Sequence, residues 1–311
     1  MKNFTKFIFA NVVVLLLFSG CEKSEEPAYQ IEATAKTMLD VAYGADAKQK
    51  MDVYLPANRT SNTGIIVLVH GGSFIGGDKS ELTTQAKYLA TSGYAVINVN
   101  YRLVDGTGLL TQQNPARFES VVKVKDQVTD VSAIVDYAIA HAKEWVTNAD
   151  RIVLIGHSAG ASLSLLYSYD QRNTKKVKAV ANLAGALDLV FTNIPNWQFY
   201  PPALFEAGYR YTGFELAVAN EQEYKNISAL YVANADRKVP TFNVLPSNND
   251  IQGLPKQDIV TYNAFTAKLN ELKVPNQFFY MAGTDHNFSQ SGKWQLALDA
   301  SVKYFNLALD K

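Results

Sequence analysis

Gly156-His157-Ser158-Ala159-Gly160 is the one G-x-S-x-G pentamer in the chain. Residues 151–155 before it read as a buried strand, and residues 161–166 after it as a helix. A serine at the apex of a strand–turn–helix is forced into a strained, exposed conformation, and small flanking residues let the chain turn that sharply. The start of the helix aims backbone N–H groups at whatever the serine attacks. A second loop, His70-Gly71-Gly72-Ser73-Phe74, follows the apolar run 65–69. Its glycines allow N–H groups to face a pocket. Acyl transfer needs both parts: an activated hydroxyl, and placed donors for the oxyanion that forms in the transition state. It also needs a base for the serine, and a group that holds the base in the right tautomer.

The elements that must position these residues alternate. Strand-like runs fall at 38–43, 51–55, 65–69, 94–100, 152–155, 177–184, 241–245 and 277–281. Helical patterns fall at 82–92, 122–145, 159–169, 259–272 and 294–309. The run 65–69 is apolar throughout, as in a strand buried on both faces. This β-α-β alternation predicts an α/β fold: a doubly wound, mostly parallel sheet with helices on both faces. One segment, about 189–226, breaks the rhythm. It has no clean strand and carries eight aromatic residues between Phe191 and Phe214, where the chain average of 12% would give about three. A small aromatic-rich cap over the site, or a satellite core under a long loop, would account for it.

Both loops in this order resemble the α/β-hydrolase esterases that carry an HGG-type oxyanion loop. The likeness is to bacterial carboxylesterases that include acetyl xylan and feruloyl esterases. It extends to Tyr43-Gly44, Met51-Asp52-Val53-Tyr54-Leu55-Pro56, Asn100-Tyr101-Arg102-Leu103, Asp130-Val131 and Ala149-Asp150-Arg151. The resemblance implies an α/β-hydrolase catalytic domain over 37–311, with the insertion at about 189–226. It places the oxyanion donors on the backbone N–H groups of Gly72, Ser73 and Ala159. It also implies the chain order nucleophile, acid, histidine. Of the four histidines, His286 alone lies after Ser158, in Gly283-Thr284-Asp285-His286-Asn287-Phe288. His70 and His157 belong to the other two loops and His141 to a long helix, so His286 is the expected base. The acid should follow the strand 241–245, where Asp250 lies. The family spaces its Asp two residues before Val-Pro, whereas three residues separate Asp250 from Leu254-Pro255. Asp188 is the second candidate. Asp285 adjoins the base, with its side chain expected to point away.

The expected activity is that of a serine carboxylester hydrolase acting through an acyl-enzyme, with no metal or cofactor required. An arylformamidase or exopeptidase keeps the same fold and changes the bond. A non-catalytic binding module would have lost the machinery. The balance of 29 basic and 29 acidic residues argues against nucleic acid as a partner. Hydrophobic residues at 48% suit a packed core and exclude a disordered chain. A single cysteine excludes a disulfide framework and a Cys-based zinc site.

That cysteine belongs to the N-terminus. Lys2 and Lys6 precede a mostly apolar run, 7–18, followed by Ser19, Gly20 and Cys21. A basic end, a short apolar stretch and small residues describe a secretory signal, and the run is short for a membrane span. Leu17-Phe18-Ser19-Gly20-Cys21 resembles a bacterial lipobox, with Phe18 where Leu is usual. The resemblance implies a signal peptide over 1–20, lipidation of Cys21 and a polar tether over 21–36. The membrane would then be a partner through the anchor, with the protein on the outer membrane, periplasmic or at the cell surface. Ester-decorated glycans, acetylated or feruloylated, are the substrates such a location suggests. Membrane fractionation tests the anchor: Cys21→Ser should release protein that stays membrane-bound in the wild type. Soluble wild type still carrying residues 1–20 would contradict it.

Overall fold

The computed structural model describes residues 33–250 and 257–310. The proposed signal peptide, Cys21 and most of the tether lie outside them. The sheet has eight strands: β1 Lys36–Ala42, β2 Lys50–Leu55, β3 Ile65–Val69, β4 Ala95–Val99, β5 Ile152–His157, β6 Val177–Leu183, β7 Thr241–Asn248 and β8 Asn276–Asp285. Their order is β1-β2-β4-β3-β5-β6-β7-β8. β1–β2 and β2–β4 pair antiparallel, and every other neighbouring pair is parallel.

The helices are α1 Thr83–Thr91, α2 Val124–His141, α3 Ala159–Ser168, α4 Pro202–Thr212, the short α5 Glu221–Lys225 and α6 Ala229–Val232, α7 Ile259–Glu271 and α8 Lys293–Leu309. They cover both faces, and the central strands show why. Every residue of β3 is buried, and its side chains divide by parity: Ile65, Val67 and Val69 join one core, Ile66 and Leu68 the other. Successive side chains of a strand point to opposite faces, so a continuous apolar run supplies both layers. The first core packs Val131 and Ile134 of α2, Leu163 of α3 and Phe265 of α7. The second packs Leu89 of α1 with Leu298 and Phe305 of α8.

The parallel strands all end on one edge. β3 runs into His70-Gly71-Gly72, β5 into Ser158, β7 into Asn249 and β8 into His286. Ligand sites of open parallel sheets form at this carboxyl edge.

The aromatic-rich segment supplies α4 and several short turns, and both readings of it apply. Phe191 and Tyr211 are buried in the first core and also border the cavity above Ser158, whereas Phe199 is 85% exposed. α4 starts with Pro202 at a first-turn position and stops at Gly213, whose φ of 89° suits glycine. A fully buried guanidinium ties it down. Arg210 Nε donates to Glu206 Oε1 at 2.7 Å, Nη1 to the carbonyls of Asp105 and Thr107, and Nη2 to that of Ala116. Glu206 also accepts from the Phe118 N–H, and the Phe118 ring lies 3.6 Å under the guanidinium. All the acceptors beyond Glu206 lie in one long loop between β4 and α2, so Arg210 fixes cap and loop together. Removing the cation would leave the buried Glu206 with the Phe118 N–H and the looser Arg117 contact at 3.6 Å. Arg210→Ala should therefore lower unfolding free energy by about 3–5 kcal/mol. Arg210→Lys should recover little of it, since one ammonium cannot match a planar fork. Urea denaturation measures both, and a loss under 1 kcal/mol would contradict the clamp.

Candidate active site

β5 delivers Ser158 into the left-handed region, at φ 52° and ψ −123°, immediately before α3. A non-glycine residue there is strained, and the flanking contacts hold it. The glycines around it are needed for space. A Cβ at Gly160 would lie 2.3 Å from the carbonyl oxygens of both Val69 and His70, and one at Gly156 would lie 2.3 Å from that of Gly160. A Cβ at Gly71 would come within 2.9 Å of the Ser158 Cβ. The two loops thus pack backbone against backbone.

Ser158 Oγ lies 2.9 Å from His286 Nε2, and both residues are more than nine-tenths buried. On the other side of the ring, Nδ1 lies 2.6 Å from Asn249 Oδ1. Asn249 was not among the sequence candidates. Asp250, the expected acid, stands one residue further on and is exposed, while His286 Nδ1 meets the Asn249 amide. The reason is register. Asn248 of β7 pairs with Asp285 of β8, so the next residues, Asn249 and His286, leave the sheet side by side. Neighbouring side chains in extended chain point opposite ways, which turns Asn249 inward and Asp250 outward. Asp188 accepts from the Val190 N–H and the Tyr231 hydroxyl, not from His286. Burial raises its pKa. Asp285 is turned onto Ser289, away from the ring as expected.

The remaining histidines have other work. His157 Nε2 donates to the main-chain carbonyl of His286 at 2.9 Å, which fixes the loop carrying that ring. His70 Nδ1 donates to the Gly71 carbonyl at 2.6 Å while its ring stacks on Tyr101. His141 is stacked against Tyr137 in α2.

Of the expected oxyanion donors, Ser73 and Ala159 border the same cavity as Ser158 and His286. Gly72 borders a neighbouring groove, and its carbonyl accepts from the Ile75 and Gly76 N–H groups. The N–H groups of Gly72, Ser73 and Ala159 meet no acceptor among the described residues. Ala159 opens α3, where the first N–H groups lack intrahelical partners. Ser73 and Phe74 sit at φ 52° and 66°. The Tyr211 hydroxyl donates to the Ser73 carbonyl at 2.9 Å, so the cap braces this strained loop. Tyr211 carried no signal beyond membership of the aromatic cluster.

The rest of the cavity wall is Phe74, Ala184, Ala186, Leu189, Phe191, Leu204 and Ala207, with Asn249 and Gln257 at the base. Among the described residues no lysine, arginine, aspartate or glutamate borders it. Among the described residues no cluster of three or more His, Cys, Asp or Glu could hold a metal ion, and no helix is long and apolar enough to cross a membrane.

Residues 51–201 match the model of the BD-FAE family. The kynurenine formamidase of Salmo salar is 26% identical over 170 residues, which cover 53% of this chain and 51% of that protein. The chain thus spans about half the length of the curated relatives it matches. An inhibited esterase B from Lactobacillus rhamnosis superposes with a TM-score of 0.67 at 15% identity, covering 89% of this chain and 88% of that one. A truncated carbohydrate esterase from gut microbiota superposes at 0.65 and 16% identity, covering 90% and 99%. The fold is the α/β-hydrolase fold.

Burial holds the His286 pKa down to about 4, with the neighbouring His157 acting in the same direction and Asp285 opposing. Burial also lowers His70 to about 4. Unfolded, both rings would titrate near 6.5. Between those values the unfolded chain binds protons that the folded one refuses, so stability should fall as pH drops from about 6.5 toward 4. The urea midpoint should be lower at pH 5 than at pH 7, and the drop should be smaller in His286→Gln. A midpoint independent of pH across this window would contradict neutral buried rings.

Proposed function

We propose that this protein is a serine carboxylester hydrolase. The observation that carries the reading is the 2.9 Å approach of Ser158 Oγ to His286 Nε2, at the floor of an apolar cavity. Asn249 Oδ1 can only accept, so it draws the ring proton to Nδ1 and leaves the Nε2 lone pair facing the serine. Ser158 attacks the ester carbonyl and His286 takes its proton. The N–H groups of Ser73 and Ala159, with Gly72 beside them, receive the oxyanion. His286 then protonates the departing alcohol, and water releases the acyl group by the reverse sequence. Chemistry of this kind needs no metal or cofactor.

The described residues of the wall carry no charged side chain, which suits an uncharged acyl group such as acetyl or feruloyl. Acylated glycan fragments are the proposed substrates, a choice supported by the BD-FAE match and by the carbohydrate esterase among the similar structures. A lipid anchor at Cys21, on the outer membrane or facing the periplasm, would place the enzyme near such material. The similarity to a kynurenine formamidase favours a second reading, in which the same serine opens a formamide. A panel of short-chain acyl esters, acetylated oligosaccharides, aminoacyl anilides and N-formylkynurenine separates the two, and binding without turnover would identify a binding module.

Ser158→Ala and His286→Ala should each lower turnover by about 10⁶, with the double variant little worse, because the pair acts as a unit. An organophosphonate should label the wild type at Ser158 and leave Ser158→Ala untouched. Equal labelling of both proteins, or undiminished hydrolysis of p-nitrophenyl acetate by Ser158→Ala, would overturn the serine-hydrolase reading.

A further inference from the structure

We propose that Asn249 is the positioning residue of His286, so that this site orients its base with a neutral amide where a carboxylate is usual. The inference rests on the serine-hydrolase reading for its catalytic consequence, and on geometry for the contact itself.

Hydrogen-bond direction along the chain of contacts is settled by one peptide group. Asn249 Nδ2 donates to the main-chain carbonyl of Gln257 at 2.8 Å. A carbonyl only accepts, so the NH₂ end of the amide must face it, and Oδ1 must face the ring. Oδ1 also only accepts, so Nδ1 carries the hydrogen and Nε2 is bare toward Ser158. Replacing the triad Asp by Asn in a serine protease keeps the geometry yet costs about 10⁴ in kcat, because the ring takes the wrong tautomer. An amide free to present its NH₂ group to Nδ1 has that effect. Here the Gln257 carbonyl removes that freedom. An Asn fills the same place in papain-like cysteine proteases.

Gln257 is itself held. Its Oε1 accepts from the N–H groups of Leu187 at 2.9 Å and Asp188 at 3.1 Å, and its Nε2 donates to the Asp188 carbonyl at 2.8 Å. The segment after β6 therefore fixes Gln257, which fixes Asn249, which fixes His286. This also gives Asp188 a role through its backbone in place of its carboxylate.

An amide orients the ring but brings no negative charge to stabilise the imidazolium. Among the described residues the titratable groups around the ring are His157 from β5, kept neutral by burial, Asp285 preceding it, and Tyr211 of α4 across the cavity. Asp285 is half-buried and bonded to Ser289. Placing a carboxylate at position 249 should consequently raise the pH at which His286 takes up a proton.

The test compares wild type, Asn249→Ala, Asn249→Asp and Asp250→Asn. It reads kcat and KM for p-nitrophenyl acetate against pH, and histidine ¹⁵N NMR titration of His286. Asn249→Ala should lower kcat at least about a hundredfold with KM little changed. Asn249→Asp should recover activity relative to Asn249→Ala and move the acid limb, and the NMR titration, upward by about one to three pH units. Asp250→Asn should stay within about threefold of wild type with the acid limb unmoved. A ten-thousandfold loss in Asp250→Asn beside a near-normal Asn249→Ala would move the role to Asp250. An NMR titration of His286 unchanged in Asn249→Asp would place position 249 away from Nδ1. The NMR reading does not need turnover, so a wild type inert to esters and to phosphonate would sink the hydrolase reading while the contact is still decided.

Discussion

The carbonyl oxygens of Val69 and His70 occupy the space that any side chain at position 160 would need. Much of the site depends on that exclusion. It brings the end of β3 against the start of α3, backbone to backbone, and so sets the His70–Phe74 loop beside Ser158. Glycine at 156 and 160 leaves Ser158 as the side chain that can stand at the apex. Its positive φ is a local cost, of order 1–3 kcal/mol, that persists because packing on both sides over-determines it. Stability in the surrounding sheet is what makes such a strained serine tenable, since β3 and β5 are buried along their whole length.

A second layer of constraint comes from the cap. Arg210 binds α4 to the loop after β4, and Tyr211, the next residue, holds the carbonyl of Ser73. One helix therefore links a buried charge cluster to the strained loop below it and forms part of the apolar wall. The apolar wall and the polar groups of Ser158, His286, Asn249 and Gln257 divide the labour found in small-molecule sites generally, where apolar contact supplies affinity and a few placed groups fix orientation.

The floor is a set of hydrogen bonds that crosses from one loop to another. His157, beside Ser158, holds the backbone of His286, and Asn249 holds its ring. Gln257 connects that amide to the segment following β6. Four strand ends thus converge on one imidazole. A proton on that ring would be poorly solvated, which is why burial pulls its pKa well below the usual value and why the neutral, lone-pair-bearing form prevails near neutral pH.

The sequence by itself determined the layer pattern, because continuous apolar runs such as 65–69 and helical repeats such as that of α2 report burial directly. It also pointed to Ser158, whose glycine-flanked turn has a steric cause visible in five residues, and to His286, the one histidine after it. The group on Nδ1 was not legible in the same way. Asn249 and Asp250 are adjacent at the end of β7, and residue type favours the carboxylate. Which of them meets the ring depends on the pairing of Asn248 with Asp285, a register set between strands far apart in sequence. Likewise, nothing local marks Gln257, Arg210 or Tyr211, since each acts through a partner in a distant loop. Local pattern fixes what a segment becomes, while the partner of a polar side chain is chosen by how the segments are brought together.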